Sequence, residues 1–437
     1  MTDETPTLDK PRRGGLWHHL DFRRLWIGET VSQFGTQVSQ LALPLVAILI
    51  LHASTFEVGL LATFESLAFL VVGLPAGAWI DRMRFRYVLI VNDVIRAAAI
   101  GSIPAAGALD VLTIGQLYVV ALVVSVCTVF FDVAYQSYLP QLVDRKLIVE
   151  GNAKLQASES VAQVAGPSVG GLLIQALTAP YAILVDAISF LWSAAWLAKI
   201  QAKVPKPERK PGRHLGREIG EGLKFVLGNR LLRAIAMCTG SSNLFSSIAF
   251  SVFFVLLARD LHLSAGAIGL IMSTASVGGL IGAFVVSRIV RKLGQGPTIW
   301  VSALVGSLPA FIPPFVHRDW TLGLLAAGMV LMWVCMLVYN ITQVSFRQAL
   351  CPPALLGRMN ATMRFFVWGT MPLGGLLGGF LGSWLGVREA MFIAAIGGTF
   401  AFLPVFFSPL RAMRELPSYE EPNDVPDGER VSPLVES

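Results

Sequence analysis

Six carboxylates stand inside long apolar stretches of this 437-residue chain: Glu29, Glu65, Asp93, Asp132, Glu159 and Asp186. A charged group at the middle of a bilayer costs on the order of 2.5–3.5 kcal/mol, so such side chains are expected to face a cavity or a partner. At a rise of about 1.5 Å per residue, Glu29 and Glu65 lie deep within the first and second apolar stretches. Burial favours the protonated form of a carboxyl group, which can then exchange its proton for a cationic or polar solute. Glu29, Glu65 and Asp186 are therefore the candidate proton carriers, whereas Asp93 and Arg96, one helical turn apart, are expected to satisfy each other. The second half of the chain has no acid clearly inside a stretch and offers Asn243, Tyr339, Asn340, Gln343 and Arg347 instead. Tyr339, Gln343 and Arg347 recur every four residues and form one polar stripe, expected to face a cavity or the interface between halves rather than lipid. With Gln33, Phe34 and Trp333 they make up the candidate substrate-binding set.

The elements that must position these groups are membrane-spanning helices. Hydrophobic residues make up 54% of the chain and charged residues only 14%, a balance that excludes an ordinary soluble domain. About twelve apolar stretches can be read, at 22–50, 55–80, 87–108, 112–137, 150–177, 180–199, 231–258, 264–288, 297–316, 320–345, 357–385 and 387–408. Of the 34 Lys and Arg, all but Arg259, Arg318 and Arg388 fall on one side when the stretches are threaded alternately through a bilayer. Because loops rich in Lys and Arg stay cytoplasmic, both termini and the loop near 200–230 are expected in the cytosol. The first stretch follows a polar lead and lacks a small-residue cleavage site, so it reads as a retained span.

The formal net charge of +6 is expected to serve cytoplasmic loop retention and contact with anionic lipid, with no nucleic-acid partner. Cys127, Cys238, Cys335 and Cys351 show no paired spacing, which argues against a disulfide framework or a metal knuckle. No histidine lies within an apolar stretch, as a haem or di-metal site would require, and no Gly-rich phosphate loop is present. No catalytic residue, metal or cofactor is therefore expected beyond protons as the coupling ion, and the chain reads as no enzyme. The partners expected are a small-molecule substrate and the lipid bilayer, with the protein acting as a monomer.

The proline-rich basic run around Lys203–Arg213 separates six stretches from six. This divides the chain into a cytoplasmic tail (1–21), a first six-helix bundle (22–199), a linker (200–230), a second bundle (231–408) and a cytoplasmic tail (409–437). The basic and apolar residues from Arg217 to Arg233 alternate at helical spacing, as in a helix lying on the inner membrane face or packed as a linker. An internal repeat supports the division. A shift of 208 brings Asn152-Ala153, Gly166 and Gly170-Gly171 onto Asn360-Ala361, Gly374 and Gly378-Gly379, and a shift of 210 brings Ser54 and Gly59-Leu60 onto Ser264 and Gly269-Leu270. Two parallel six-helix repeats are an architecture of secondary transporters.

Two motifs carry a family resemblance. Gly77-Ala-Trp-Ile-Asp81-Arg82-Met-Arg84-Phe-Arg86 resembles the inner-loop signature of the major facilitator superfamily, Gly-x-x-x-Asp-Arg-x-Gly-Arg-Arg, with Arg84 and Phe85 as departures. Gly166-Pro167-Ser-Val-Gly170-Gly171 is similar to the Gly-Pro-x-x-Gly-Gly signature of that superfamily's proton-coupled exporters, with Ala162 and Ala153 where the longer pattern has glycines. Phe22-Arg-Arg-Leu-Trp-Ile-Gly28, Tyr138-Leu-Pro-Gln-Leu142 and Asp186-Ala-Ile-Ser-Phe190 are similar to the branch that contains macrolide-efflux and enterobactin-export proteins.

The resemblance implies an all-α fold of twelve transmembrane helices in two pseudo-symmetric six-helix bundles. It implies a bacterial inner-membrane exporter of amphipathic drugs, exchanging them for protons by alternating access, or else a dedicated exporter of a siderophore or self-made metabolite. A ligand sensor that transports nothing is a third reading. The resemblance further implies that the first half carries the protons. It also implies that Gly77, Asp81, Arg82, Arg84 and Arg86 gate the cytoplasmic side, with Asp132 as the carboxylate that meets one of these bases.

Overall fold

The computed structural model describes residues 16–80, 83–143, 147–202, 215–352 and 355–415. The first half contains α1 (Leu20–Leu49), α2 (Thr55–Val71), α3 (Gly73–Ile80), α4 (Phe85–Ala108), α5 (Ile114–Leu142), α6 (Ile148–Leu177) and α7 (Ala179–Ala198). A linking helix, α8 (Leu215–Gly228), leads to α9 (Arg230–Val255), α10 (Ala265–Leu293), α11 (Gln295–Ser307), α12 (Thr321–Leu350), α13 (Leu356–Trp368), α14 (Thr370–Trp384), α15 (Val387–Phe400) and α16 (Leu403–Phe406). Ten of the spans are long and apolar enough by themselves to cross a bilayer, counting α13 with α14 and α15 with α16 as single spans. The remaining two are α1, whose charge-free stretch 32–49 is diluted by Gln33, Gln37 and Gln40, and the pair α2 and α3, interrupted at Val72. The fold is thus twelve membrane-spanning segments in two six-helix bundles.

Local sequence explains the ends and the interruptions. Ser54 caps α2 in a reciprocal box, its Oγ accepting from Glu57 N while its own N–H donates to Glu57 Oε2. Its repeat-related residue Ser264 caps α10 in the same way through Ala267 N. Both interrupted spans carry a proline three residues after the break: Pro75 follows Val72, and Pro372 follows Gly369. Proline has no N–H to donate to the carbonyl four residues back and its ring crowds that carbonyl, so the α2–α3 and α13–α14 spans each break there.

Three apolar cores show how the halves meet. One lies at the end away from the termini and is shared by both halves, joining residues from Val38 to Phe190 with residues from Val252 to Met391. At the termini end there are two separate cores, one built only from residues between Leu16 and Ile200, the other only from residues between Val226 and Leu410. The halves therefore share one core at the far end and keep separate cores at the near one, where α2 and α3 still touch α13.

Glycines make the fusion possible. At the α2–α14 crossing a Cβ on Gly59 would lie 2.3 Å from the Gly379 Cα, and at the α6–α10 crossing a Cβ on Gly269 would lie 2.2 Å from the Pro167 carbonyl and 3.2 Å from the Gly171 Cα. Neither backbone pair has room for a side chain, the close approach by which small residues join membrane helices. Ser168 N and Oγ also meet Ser273 Oγ at 3.0 and 2.8 Å, and Ser276 Oγ donates to the Gln163 carbonyl at 2.7 Å. Arg259, from the π-helical turn Leu256–Asp260, donates to the Ala53 carbonyl of the opposite half.

Gly59→Leu is predicted to force this seal apart while leaving each bundle folded, since overpacking costs about 1–3 kcal/mol. A cysteine placed at Thr63, beside Gly375, is then expected to react with a water-soluble maleimide about ten-fold faster than it does when Gly59 is retained. Cys127, Cys238, Cys335 and Cys351 are all buried and give a low background. Equal reactivity in a folded Gly59→Leu variant would show that the glycine contact is no seal.

Candidate functional site

Between the separate near-end cores of the two halves lies a cavity of about 250 Å³. From the first half it is lined by Phe69 and Gly73 around the α2–α3 break and by Val129, Asp132 and Val133 of α5. From the second half come Asn360, Ala361, Arg364, Phe365 and Trp368 of α13. The Phe69 and Trp368 rings meet with centroids 4.5 Å apart, closing one wall across the halves. Arg364 reaches over the Trp368 ring at 5.8 Å. Among the described residues neither Asp132 nor Arg364 forms an ion pair.

Glu65 precedes Phe69 by four residues and so stands one turn along the same face of α2, toward the sealed end. Phe64 points elsewhere, its ring 5.3 Å from Tyr118 of α5. Glu65 is exposed, one turn beyond the residues that line the cavity.

The other acids form a buried cluster within the first half. Gln33 Nε2 donates to Glu29 Oε1 at 2.6 Å, and Glu29 Oε2 has no partner. Asp93, fully buried, pairs with Arg96, as the one-turn spacing predicts. The Arg96 guanidinium is sandwiched between the rings of Phe131 and Phe190, each centroid 4.3 Å away, so α4, α5 and α7 all hold it. Asp93 Oδ2 and Arg96 Nε remain without hydrogen bonds. Asp186 accepts from Ser189 Oγ at 3.1 Å and lies against Gly35, where a Cβ would come 2.7 Å from its Oδ1. Glu29 of α1 is thus tied to its own helix and Asp186 of α7 lies against α1, both inside the bundle, while Glu65 of α2 stands outside this cluster.

The exporter-signature glycines lie at helix crossings. Gly166 and Gly170 press on Gln37 and Val38 of α1, while Gly171 presses on the Ala265 carbonyl of α10. Of the gating set, Asp81 and Arg82 lie outside the described residues, and Gly77 falls in α3. Arg84 precedes α4 and its guanidinium sits 5.9 Å from the Tyr87 ring centroid. Arg86 donates to the carbonyls of Leu197 and Ala198 at the end of α7. Here, then, Arg86 ties two elements of the first half together, and Asp132 faces Arg364 across the cavity.

The candidate binding residues of the second half are mostly used in packing. Tyr339 is buried, its hydroxyl 2.6 Å from Thr239 Oγ1 of α9. Gln343 is buried and donates to Asn340 Oδ1 at 2.9 Å, while Asn340 itself is exposed. Half-buried Arg347 continues this stripe, which avoids lipid by turning into its own bundle. Asn243 Nδ2 donates to the Val367 carbonyl at 2.8 Å, satisfying a group left open by the α13–α14 break. Trp333 packs over Gly278 of α10. Phe34 lines a second, apolar groove of about 240 Å³ on the flank of α1, α6 and α7. The cavity residues missed by sequence reading are Phe69, Asn360, Arg364, Phe365 and Trp368. The i to i+4 pair Arg364 and Trp368 was the available signal.

Residues 17–431 match the family model described as "Transmembrane secretion effector", a branch of the major facilitator superfamily. The chain belongs to this family. It is 25% identical over 378 residues to the multidrug efflux pump Tap of Mycolicibacterium fortuitum, covering 81% of this chain and 88% of that protein. It is 24% identical to the enterobactin exporter EntS of Citrobacter koseri, covering 94% and 96%. The fold matches a bacterial homologue of the iron transporter ferroportin in its inward-facing state, with TM-score 0.73 and 15% identity over 88% of this chain and 98% of that one. It also matches the nucleoside transporter NupG, with TM-score 0.72 and 14% identity over 89% and 99%. The protein is a multi-pass membrane transporter of the major facilitator superfamily, of exporter type.

Removing one member of the Asp93–Arg96 pair leaves a buried charge uncompensated, a loss of about 3–5 kcal/mol. Asp93→Ala or Arg96→Ala is therefore expected to lower the unfolding temperature of the detergent-purified protein sharply. Neutralising both at once, Asp93→Asn with Arg96→Gln, is expected to recover most of it. Full stability of either single variant would contradict the pairing.

Proposed function

We propose that this protein exports mid-sized amphipathic organic compounds from the bacterial cytosol across the inner membrane in exchange for protons, by alternating access. The single observation that carries the reading is the arrangement of cores: one seal shared by both halves at the far end, and a cavity between separate cores at the termini end. With the termini in the cytosol, as the lopsided distribution of Lys and Arg favours, this cavity is open to the inside and ready to load cytosolic solute. Relatives named as a multidrug efflux pump and as an enterobactin exporter support export as the direction. The aromatic wall of Phe69, Phe365 and Trp368 supports an amphipathic cargo.

Proton exchange rests on the acids of the first half. Glu65, exposed one turn from the cavity residue Phe69, is the first candidate to meet both solute and proton, while Glu29 and Asp186 sit inside the first bundle. Among the described residues, no acid of the second half lies deep in a span: Asp260, Asp319 and Glu389 stand at or near helix ends on the far side. One elementary charge crossing with the potential supplies about 2.3 kcal/mol per 100 mV, enough to drive net export. In this reading the bases of the α3–α4 turn meet the opposite half when the far end parts and the near end closes, and they hold the outward-open form.

Export of dyes and antibiotics from cells overexpressing the protein is expected to stop on addition of a protonophore. Glu65→Gln is expected to abolish uphill export while leaving equilibrium binding intact, with Glu29→Gln and Asp186→Asn as the companion variants. Undiminished uphill transport by all three variants would exclude these acids as the coupling site.

A further inference from the structure

Resting on the exporter reading, we propose that the cavity selects zwitterionic amphiphiles, with Arg364 receiving an anionic group of the cargo, Asp132 receiving a cationic one, and the Phe69–Trp368 wall covering a planar ring between them. The two charges come from opposite halves yet stand at matching depth. Asp132 is ten residues from the near end of α5 and Arg364 eight residues into α13, about 15 and 12 Å along their helices. Both line the same cavity of about 250 Å³, and among the described residues each is left without an ion pair.

The nearby charges are committed elsewhere. Arg96 is held by Asp93, Glu221 by Arg358, and Glu159 accepts from Gln156 and Gln163. A cargo bearing only one charge would leave the other wall facing it uncompensated, whereas a cargo bearing both would answer each. The aromatic rings next to the guanidinium add a flat surface, and Asn360 supplies a neutral polar group on the same helix face as Arg364, one turn away. The cavity is somewhat smaller than the roughly 300–1,000 Å³ usual for whole drug-sized ligands, so it holds the charged core of such a molecule.

A matched set of probes tests this: a fluoroquinolone with a free amine and a free carboxylate, its carboxyl ester, which is a cation, and its N-acetyl derivative, which is an anion. Binding to the purified protein is read first, by quenching of tryptophan fluorescence, and transport into inverted membrane vesicles second. The wild type is expected to bind the zwitterion about ten-fold more tightly than either single-charge form, the scale of one hydrogen bond to a charged group. Arg364→Gln is expected to weaken the zwitterion and the anion about ten-fold and spare the cation. Asp132→Asn should weaken the zwitterion and the cation and spare the anion, and Arg364→Lys should restore most of the lost anion binding.

Equal affinity for all three probes, or none for any of them, overturns the proposal. So does an equal loss of all three in both variants, which would make Asp132 and Arg364 a latch between the halves. The predicted binding pattern without any transport would leave the cavity chemistry standing and sink the exporter reading. Protonophore-sensitive export of other compounds without that pattern would do the reverse.

Discussion

The close approach of backbone to backbone at two glycine-lined crossings is the constraint on which the rest of this structure depends. Lipid offers membrane helices no hydrophobic drive to associate, so two bundles adhere only where van der Waals surfaces fit. At the far end Gly59 meets Gly379, and Gly269 meets Gly171 and the Pro167 carbonyl. These are the same contact made twice. The shift of 210 residues carries Gly59 to Gly269, and the shift of 208 carries Gly171 to Gly379. A repeat in the sequence thus appears in space as two related seals about one axis. The glycines at both crossings permit approach where even an alanine methyl would collide.

The cavity follows from the same helices by a different device. Pro75 and Pro372 break the two spans that cross at Gly59 and Gly379, and both breaks fall at the cavity wall, beside Gly73 and Trp368. Broken helices release carbonyls that a bilayer cannot satisfy, and the structure supplies donors for them. Asn243 takes the Val367 carbonyl at the end of α13, and Ser247 and Thr63, the latter from the other half, add hydrogen bonds to the Met371 and Pro372 carbonyls in the first turn of α14. Polar residues that read in the sequence as ligand contacts are therefore in part the supports of an irregular backbone.

That distinction marks how far the sequence can be read. The membrane spans are legible because each is a long apolar run whatever it packs against, and the repeat is legible because Ser54 and Ser264 cap their helices by the same local chemistry. The pairing of Asp93 with Arg96 is legible because one helical turn brings them together without help from the fold. Tyr339, Gln343 and Arg347 do form one stripe, but periodicity names a face and not its neighbour. The neighbour is Thr239 of α9 in the same bundle, through the Tyr339 hydroxyl. Arg364 reads in the sequence only as a topological charge, since its place in the cavity depends on the break at Gly369 and on α5 from the opposite half. Phe34 reads as a pocket residue by type alone, and it lines a groove on the flank instead.

The division of forces between and within the halves suits a protein that must exchange two shapes. Within the first half the interactions are strong and unforgiving: a buried ion pair, an arginine held between two rings, and a carboxyl wedged against Gly35. Separating any of these groups would leave a charge in low dielectric, so this bundle is constrained to move as a body. Between the halves the contacts are the shared apolar core, glycine surfaces, one aromatic pair, a few hydroxyl hydrogen bonds and one arginine on a carbonyl. None of these contacts leaves a buried ion pair broken when it parts, and water entering the gap can take over the polar groups released. Under the proposed cycle, the confinement of the buried Asp93–Arg96 ion pair to one bundle, with mainly apolar contact between bundles, is what lets the seal open without unfolding either half.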